Sequence, residues 1–467
     1  MPVTSPPPTR ARASSRVELT DLAGLLVLAL MAGAVPFLGL SPLLLPAALV
    51  LALVGLRLLR APDTSLKLAL VAVLLPPGLL PPLVQSALDV GTVLLAAAAA
   101  LLAVRPGHRS APLPLALWLM GAFVVWGLLT LTWSAEPSTG SDLMRRYTVA
   151  LVLLVLVVHR TPDRAGIDRL MSALAVVAWV VVLCGSYALV AGFGGEGGRL
   201  QVFDMNPNQV GNVLLLTSPG VLWGAVAPGR VSRAHVVQAV VFLLASLVLI
   251  AESGSRGSLL AFVLMVAAFV ATRTLRVWGL IAAGIAVTLL LATPALFSTV
   301  IERVRYEDPT QLSRSTLWGA GLSLIADHPF GVGVGEGPAV MPDYINARTS
   351  LDHFRFRDTL PAHNPLIEVG TDTGVIGVAL YGAALAAAAG AFLVVVGRAH
   401  RRRDPYWTAY GAVVLTGSFA FLTAWWKSGG ESYSFTTFVL LSLWLAGARA
   451  CAREERAKLR LGGGLRR

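Results

Sequence analysis

Apolar runs, most of them near 20 residues long, recur from one end of this chain to the other and constrain its fold more than any motif does. They lie near 20–40, 42–56, 68–86, 88–104, 113–132, 147–158, 170–192, 209–227, 235–250, 257–272, 277–298, 364–397, 407–425 and 433–448. A helix of about 20 residues crosses roughly 30 Å of hydrocarbon. Within it every backbone N–H and C=O must find a partner in the chain, which favours helices as the spanning element. Composition agrees: 56% of the 467 residues are hydrophobic and 13% are charged, where soluble domains carry about a quarter. The expectation is an all-α polytopic membrane protein with about 12–14 transmembrane helices. The third run contains "LLPPGLLPP" and must kink or re-enter. Cys184 falls in a span and Cys451 in the C-terminal tail, so no structural disulfide is expected.

Net charge is +12, which on its own would suit nucleic acid, but the distribution of the cations points to topology. Arg10, Arg12 and Arg16 precede the first run, and a small "AGA" stands at 32–34. That pattern reads as a cleaved signal peptide or a retained first span, and the spans that follow favour the second. With the N-terminus cytoplasmic, 26 of the 37 basic residues fall in cytoplasmic segments, as the positive-inside bias requires. The organisation that follows is a cytoplasmic basic N-terminus at 1–19, about eleven transmembrane helices over 20–298, and an extracytoplasmic loop at 299–363. About three further helices cover 364–448, and a cytoplasmic basic tail occupies 449–467.

Eleven cations run against this bias: Arg145, Arg146, Arg199, Arg256, Arg303, Arg305, Arg314, Arg348, Arg355, Arg357 and Lys427. Several stand in the one long loop, 299–363, and loops of that length are usually functional. Within it "SRSTLWGAGLSLIADHP" predicts a short helix with Ser313 as N-cap and Pro329 beyond its end. Arg314 and Trp318 would lie one turn apart, close enough to stack. Leu317, Leu324 and Ile325 would form an apolar stripe suited to the membrane surface. The loop's other arginines stand among Glu302, Glu307, Asp308, Asp352 and Asp358 and read as a solvated mixed-charge surface. "GVGVGEG" at 331–337 has no strand–turn–helix around it and is no nucleotide fingerprint.

Three more polar clusters share the outer side. In "GGRLQVFDMNPNQVGN" (197–212), Arg199 precedes Asn206 and Asn208, which serve either as cap and turn or as part of a site. In "AESGSRGSLL" (251–260), Arg256 stands at a helix N-terminus among glycines and serines. Macrodipole, free amides and a guanidinium would converge there on a phosphate. The alternative is an Arg256–Glu252 clasp, unless Glu252 orients the arginine. The last cluster is "PAHNPLIEVGTDTGVIG" (361–377). On one helix at about 100° per residue, Gly370, Gly374 and Gly377 fall within about 40° of His363 and leave a groove beneath it. Glu368 and Asp372 would point to the far side. His363 is then a cap or snorkelling residue, or a functional group in company with the arginines. No Asp-x-Asp, His-Glu-x-x-His, Walker lysine or Cys pair is present, and acids are scarce inside the spans, which disfavours an ion-coupled transporter.

These residues resemble the O-antigen ligase and O-antigen polymerase superfamily of bacterial membrane glycosyltransferases. His363-Asn364, nine residues, Gly374, two residues and Gly377 match the ligase signature of His, Asn/Ser/Gln, nine positions, Gly, two positions and Gly/Thr/Tyr. Arg256-x-x-x-Leu260 matches its Arg-x-x-x-Leu element, and "SRSTLWGAGLSLIADHPFGVGVGEG", "RLQVFDMNPNQVGN" and "WSAEPS" at 133–138 are similar to family segments. The resemblance covers roughly residues 120–440 and implies a C-type glycosyltransferase architecture of about twelve helices with a large periplasmic loop. It implies a glycan donor on undecaprenyl diphosphate, no metal and no cofactor. It also implies that Arg256, with Arg199 and Arg314, binds the donor diphosphate and that His363 is the base or positioning group. Asn364, Gly374, Gly377, Asn206, Asn208, Trp318 and Glu252 are supporting residues. The acceptor can be a lipid, a glycan or a protein; no nucleic acid is expected. Two rivals stand beside a ligase: a polymerase of the same superfamily, and a lipid-linked glycan transporter, although no internal repeat suggests alternating access.

Overall fold

The computed structural model describes residues 113–193, 199–202, 205–272, 275–292, 314–348, 359–428 and 435–463. The first four apolar runs, the proline-rich segment and most of the loop's mixed-charge residues lie outside them. The described residues form twelve helices and no strand. They are α1 (Leu115–Thr130), α2 (Pro137–Arg160), α3 (Arg164–Val190), α4 (Pro207–Val226), α5 (Arg233–Glu252) and α6 (Arg256–Ala271). After these come α7 (Arg276–Ala292), α8 (Arg314–Asp327), α9 (Gly337–Arg348), α10 (Pro365–Arg401), α11 (Pro405–Ser428) and α12 (Phe435–Gly463). Their starts follow local chemistry. Asp163, Asn206, Ser232, Ser255 and Asn364 cap α3, α4, α5, α6 and α10 with side-chain oxygens, and proline opens α2, α4 and α10, where a missing N–H costs nothing.

Five helices, α3, α4, α5, α10 and α11, are long and apolar enough to cross a bilayer, and α1, α6 and α7 are shorter apolar helices. The chain is an all-helical polytopic membrane protein. Helix α4 is its pillar: 83% of its apolar window is buried, against 22% for α10. Helices α3, α5, α6 and α11 pack around α4. Small residues bring the backbones together; Gly220 faces Leu174 and Ala175 of α3, and Gly417 of α11 faces Pro219. Cys184 and Cys451 are both free.

The loop helix is present as α8 and ends before His328 and Pro329; Ser313 lies outside the described residues. Its apolar stripe does not lie on a membrane surface. Leu317 and Leu324 are buried with Ala320, Met341, Ile345 and Ala362, and Ile325 packs against Gly370 of α10. The partner that covers them is α9, a helix the sequence pattern conceals because it begins at glycine and carries Pro342 inside.

The single-helix placement of residues 363–381 is also corrected. His363 precedes the helix with φ 55, Asn364 is its N-cap, and Gly374 breaks it with φ 69 and ψ −168. The glycines therefore make no continuous groove for a lipid chain. Instead residues 329–337 fill the break. Val332 N donates to Thr371 O (3.0 Å), Gly333 N to Asp372 O (3.0 Å), Trp126 Nε1 to Thr373 O (2.8 Å), and Val375 N to Pro329 O (2.9 Å). Every one of these groups is a helical partner orphaned by the break, and all are satisfied by protein, as a broken helix in a membrane requires. A Cβ at Gly374 would strike Pro329 O and Phe330, so both conformation and space demand glycine.

Candidate functional site

One end of the bundle gathers the start of α4, the α5–α6 turn, the start of α8, the entry to α10 and the end of α11. Arg199, half-buried, joins the first two: its Nε donates to Ser253 O (2.9 Å) and its Nη2 to Asn208 Oδ1 (3.1 Å). Leu200 N donates to Glu252 O (2.9 Å). Asn206 is a structural cap whose Oδ1 accepts from Asn208 N (2.9 Å), while Gln209 returns a bond to Asn206 N. The cap reading holds for Asn206, and Asn208 faces the arginine.

Arg256 is the first residue of α6 and Arg314 the first described residue of α8. A cation at a helix N-terminus opposes the macrodipole, which favours anions there. The two guanidinium groups are moreover close enough to act on one another. Loss of hydration, and then the like charge of Arg256, push the pKa of Arg314 below its usual value. Arg314 Nη1 donates to Lys427 O and, at 3.4 Å, to His363 O. The Lys427 Cβ lies 3.9 Å from the place a Cβ on Gly257 would take, so the backbone of Lys427, at the end of α11, stands beside both arginines. Lys427 was among the cations against the topological bias but carries no motif; only the packing of α11 on α6 and α10 brings it here.

Trp318 meets Trp426 edge-on, with ring centroids 6.4 Å apart, rather than serving Arg314 as a platform. Asn364, 1% exposed, accepts from Leu366 N and Ile367 N (3.1 and 3.2 Å) and donates to Trp426 O (3.4 Å). Two carbonyls near the end of α11, those of Trp426 and Lys427, are thereby taken up by Asn364 and Arg314. His363 holds a left-handed backbone that costs a non-glycine residue about 1 kcal/mol. Such outliers concentrate at functional sites, and histidine is among the residues that tolerate them.

The two carboxylates each clamp backbone. Glu368 Oε1 accepts from His363 N (2.9 Å). Asp372 accepts from Gly335 N and Gly337 N (both 3.0 Å), the second being the first amide of α9. Glu336 accepts from Ser134 Oγ (2.9 Å) and from Glu136 N, and Trp133 Nε1 donates to Gly331 O (3.2 Å). The 331–337 segment is thus a wedge between the α1–α2 turn and the break in α10. Gly331, Gly333 and Gly335 all have positive φ, and Gly333 lies directly against Ser134.

Helices and cations together define a class: a polytopic membrane protein with a cluster of arginines and a strained histidine at one end. Residues 240–382 match the O-Antigen ligase family model, and this match supports a place in the O-antigen ligase and polymerase superfamily. The matched stretch contains Arg256, Arg314, His363, Asn364, Gly374 and Gly377; Arg199 and Lys427 fall outside it. No curated protein matches the chain.

Proposed function

We propose that the chain is a glycosyltransferase of the O-antigen ligase type. It would transfer a glycan from undecaprenyl diphosphate to an acceptor hydroxyl on the outer face of the bacterial cytoplasmic membrane. The observation that carries this reading is the meeting of Arg256, the first residue of α6, and Arg314, in the first described turn of α8, beside His363. Two guanidinium groups that repel one another at positive helix ends are stabilised by a multiply charged anion. A diphosphate has that charge and leaves readily.

In this mechanism the neutral imidazole of His363 accepts the proton of the acceptor hydroxyl. The oxygen attacks the anomeric carbon as the bond from that carbon to the diphosphate breaks, so the configuration inverts. The electron pair leaves with the diphosphate, whose growing charge falls to Arg256 and Arg314, with Lys427 at the rim and Arg199 anchoring the turn that carries Arg256. The arginines take the place that a metal ion holds in other diphosphate chemistry. The membrane orientation rests on the other end of the bundle: its basic surplus is the cytoplasmic face by the positive-inside bias.

The test uses purified full-length protein with a lipid-diphosphate glycan donor. Transfer that disappears in His363→Ala and in Arg256→Ala supports a transferase. A product that is a longer lipid-linked glycan assigns polymerisation instead. Movement of donor across vesicles with no release of undecaprenyl diphosphate sinks the transferase reading and favours a transporter.

A further inference from the structure

Glu368 is 4% exposed and lies in the first turns of α10. In the usual capping box a side chain at the third helical position reaches back to the N-cap amide. The third position here is Ile367, and the carboxylate comes one residue later. Its reach therefore passes the cap, Asn364, and lands on His363, whose N–H donates to Glu368 Oε1 at 2.9 Å. His363 is left-handed, with φ 55, a conformation that a non-glycine residue keeps only where its surroundings hold it. Its amide is held by Glu368, and its carbonyl accepts from Arg314 Nη1 at 3.4 Å. An acid at the end of an apolar span is costly, so its place there requires a specific partner.

We infer that Glu368 is the positioning residue of His363: acting through the His363 amide, it sets the backbone from which the imidazole meets the acceptor hydroxyl. The inference rests on His363 being the base.

Full-length protein in nanodiscs is assayed for undecaprenyl diphosphate release, with a lipid extract of the native envelope supplying donor and acceptor. Binding of undecaprenyl diphosphate is measured separately. Glu368→Met keeps the apolar fit and removes the acceptor; it is expected to lower kcat about 10- to 100-fold, the scale of a misplaced catalytic group, with binding unchanged. Glu368→Gln keeps an acceptor oxygen and is expected to restore kcat to within about threefold of wild type. The Glu368→Met/His363→Ala double variant should be no slower than His363→Ala, since both act on one group. Wild-type kcat in Glu368→Met, a folded Glu368→Gln as slow as Glu368→Met, or a double variant slower than His363→Ala overturns the inference. So does loss of diphosphate binding in Glu368→Met. Wild-type release by His363→Ala brings down the base assignment itself, and the single variant reveals that failure by itself.

Discussion

The two ends of the helix bundle treat arginine in opposite ways. At the end where α3 and α11 begin and α12 finishes, cations meet acids. Arg164 reaches Asp404 (2.7 Å) and Glu454 (2.8 Å), Arg230 reaches Asp168 (2.8 Å), Arg402 reaches Glu455 (2.8 Å) and Lys458 reaches Glu454 (2.7 Å). Tyr406 and Trp407 lie under the Arg164 guanidinium at 4.7 and 6.0 Å, and the Trp223 indole donates to Asp168 (2.9 Å). At the other end Arg199 and Arg314 donate to neutral oxygens, and Arg314 and Arg256 repel one another. The first arrangement closes on itself and serves stability; the second, on the proposed function, is completed by an anion.

The largest expected effect sets the ends against each other. Arg256→Ala should cut transfer at least about 100-fold, the scale of removing a group that stabilises developing charge, while its thermal midpoint stays level or rises as repulsion is relieved. Arg164→Ala should do the reverse in kind, leaving kcat in place. Activity lost equally in both variants would erase the distinction. Next in size, Gly374→Ala forces a side chain into a region reserved for glycine and against Pro329. It should cost about 3 kcal/mol and expose the 329–337 segment to proteolysis, with the ion-paired end still protected from hydrogen exchange. Uniform loss of protection would mean that the two ends do not fold independently.

Smaller is the stability loss in Arg164→Ala, about 1–2 kcal/mol by denaturant titration, because the pairs are partly solvated and screened. Smallest is a pH effect confined to the same end. Burial alone would raise the pKa of Glu454, but hydrogen bonds from Arg164, Lys458 and Trp407 and the charge of Arg164 bring it down to about 2. A depressed carboxylate contributes stability that is fully present above its unfolded value, near 4.5, and is lost as pH falls toward 2. The thermal midpoint should therefore decline over that window, and Glu454→Gln should flatten the decline. An unchanged slope in that variant would remove Glu454 from the clasp.

Much of this was legible from residue order. The apolar runs that become α1 to α7, the loop helix α8, and the candidates Arg199, Arg256, Arg314 and His363 all follow from local composition and short spacing. Helix α9 was not, because glycine and proline disguise it and its stability comes from packing on α8. The 331–337 glycines, similar to a family segment, had no structural role until Ser134 and the break in α10 stood against them. Glu368 and Asp372 were placed on the wrong geometry, since a helical wheel assumes an unbroken helix and α10 starts after His363 and is interrupted at Gly374.

Sequence alone determined that this chain is a helical membrane protein and which cations run against its charge bias, because hydropathy and charge act through single residues and short windows. Only tertiary structure decided that Arg256 and Arg314 share one place beside the backbone of Lys427, that His363 is strained, and that a loop mends a broken helix. Those properties arise between groups far apart in the chain, where hydrogen-bond satisfaction and electrostatic proximity exist only once the helices have packed.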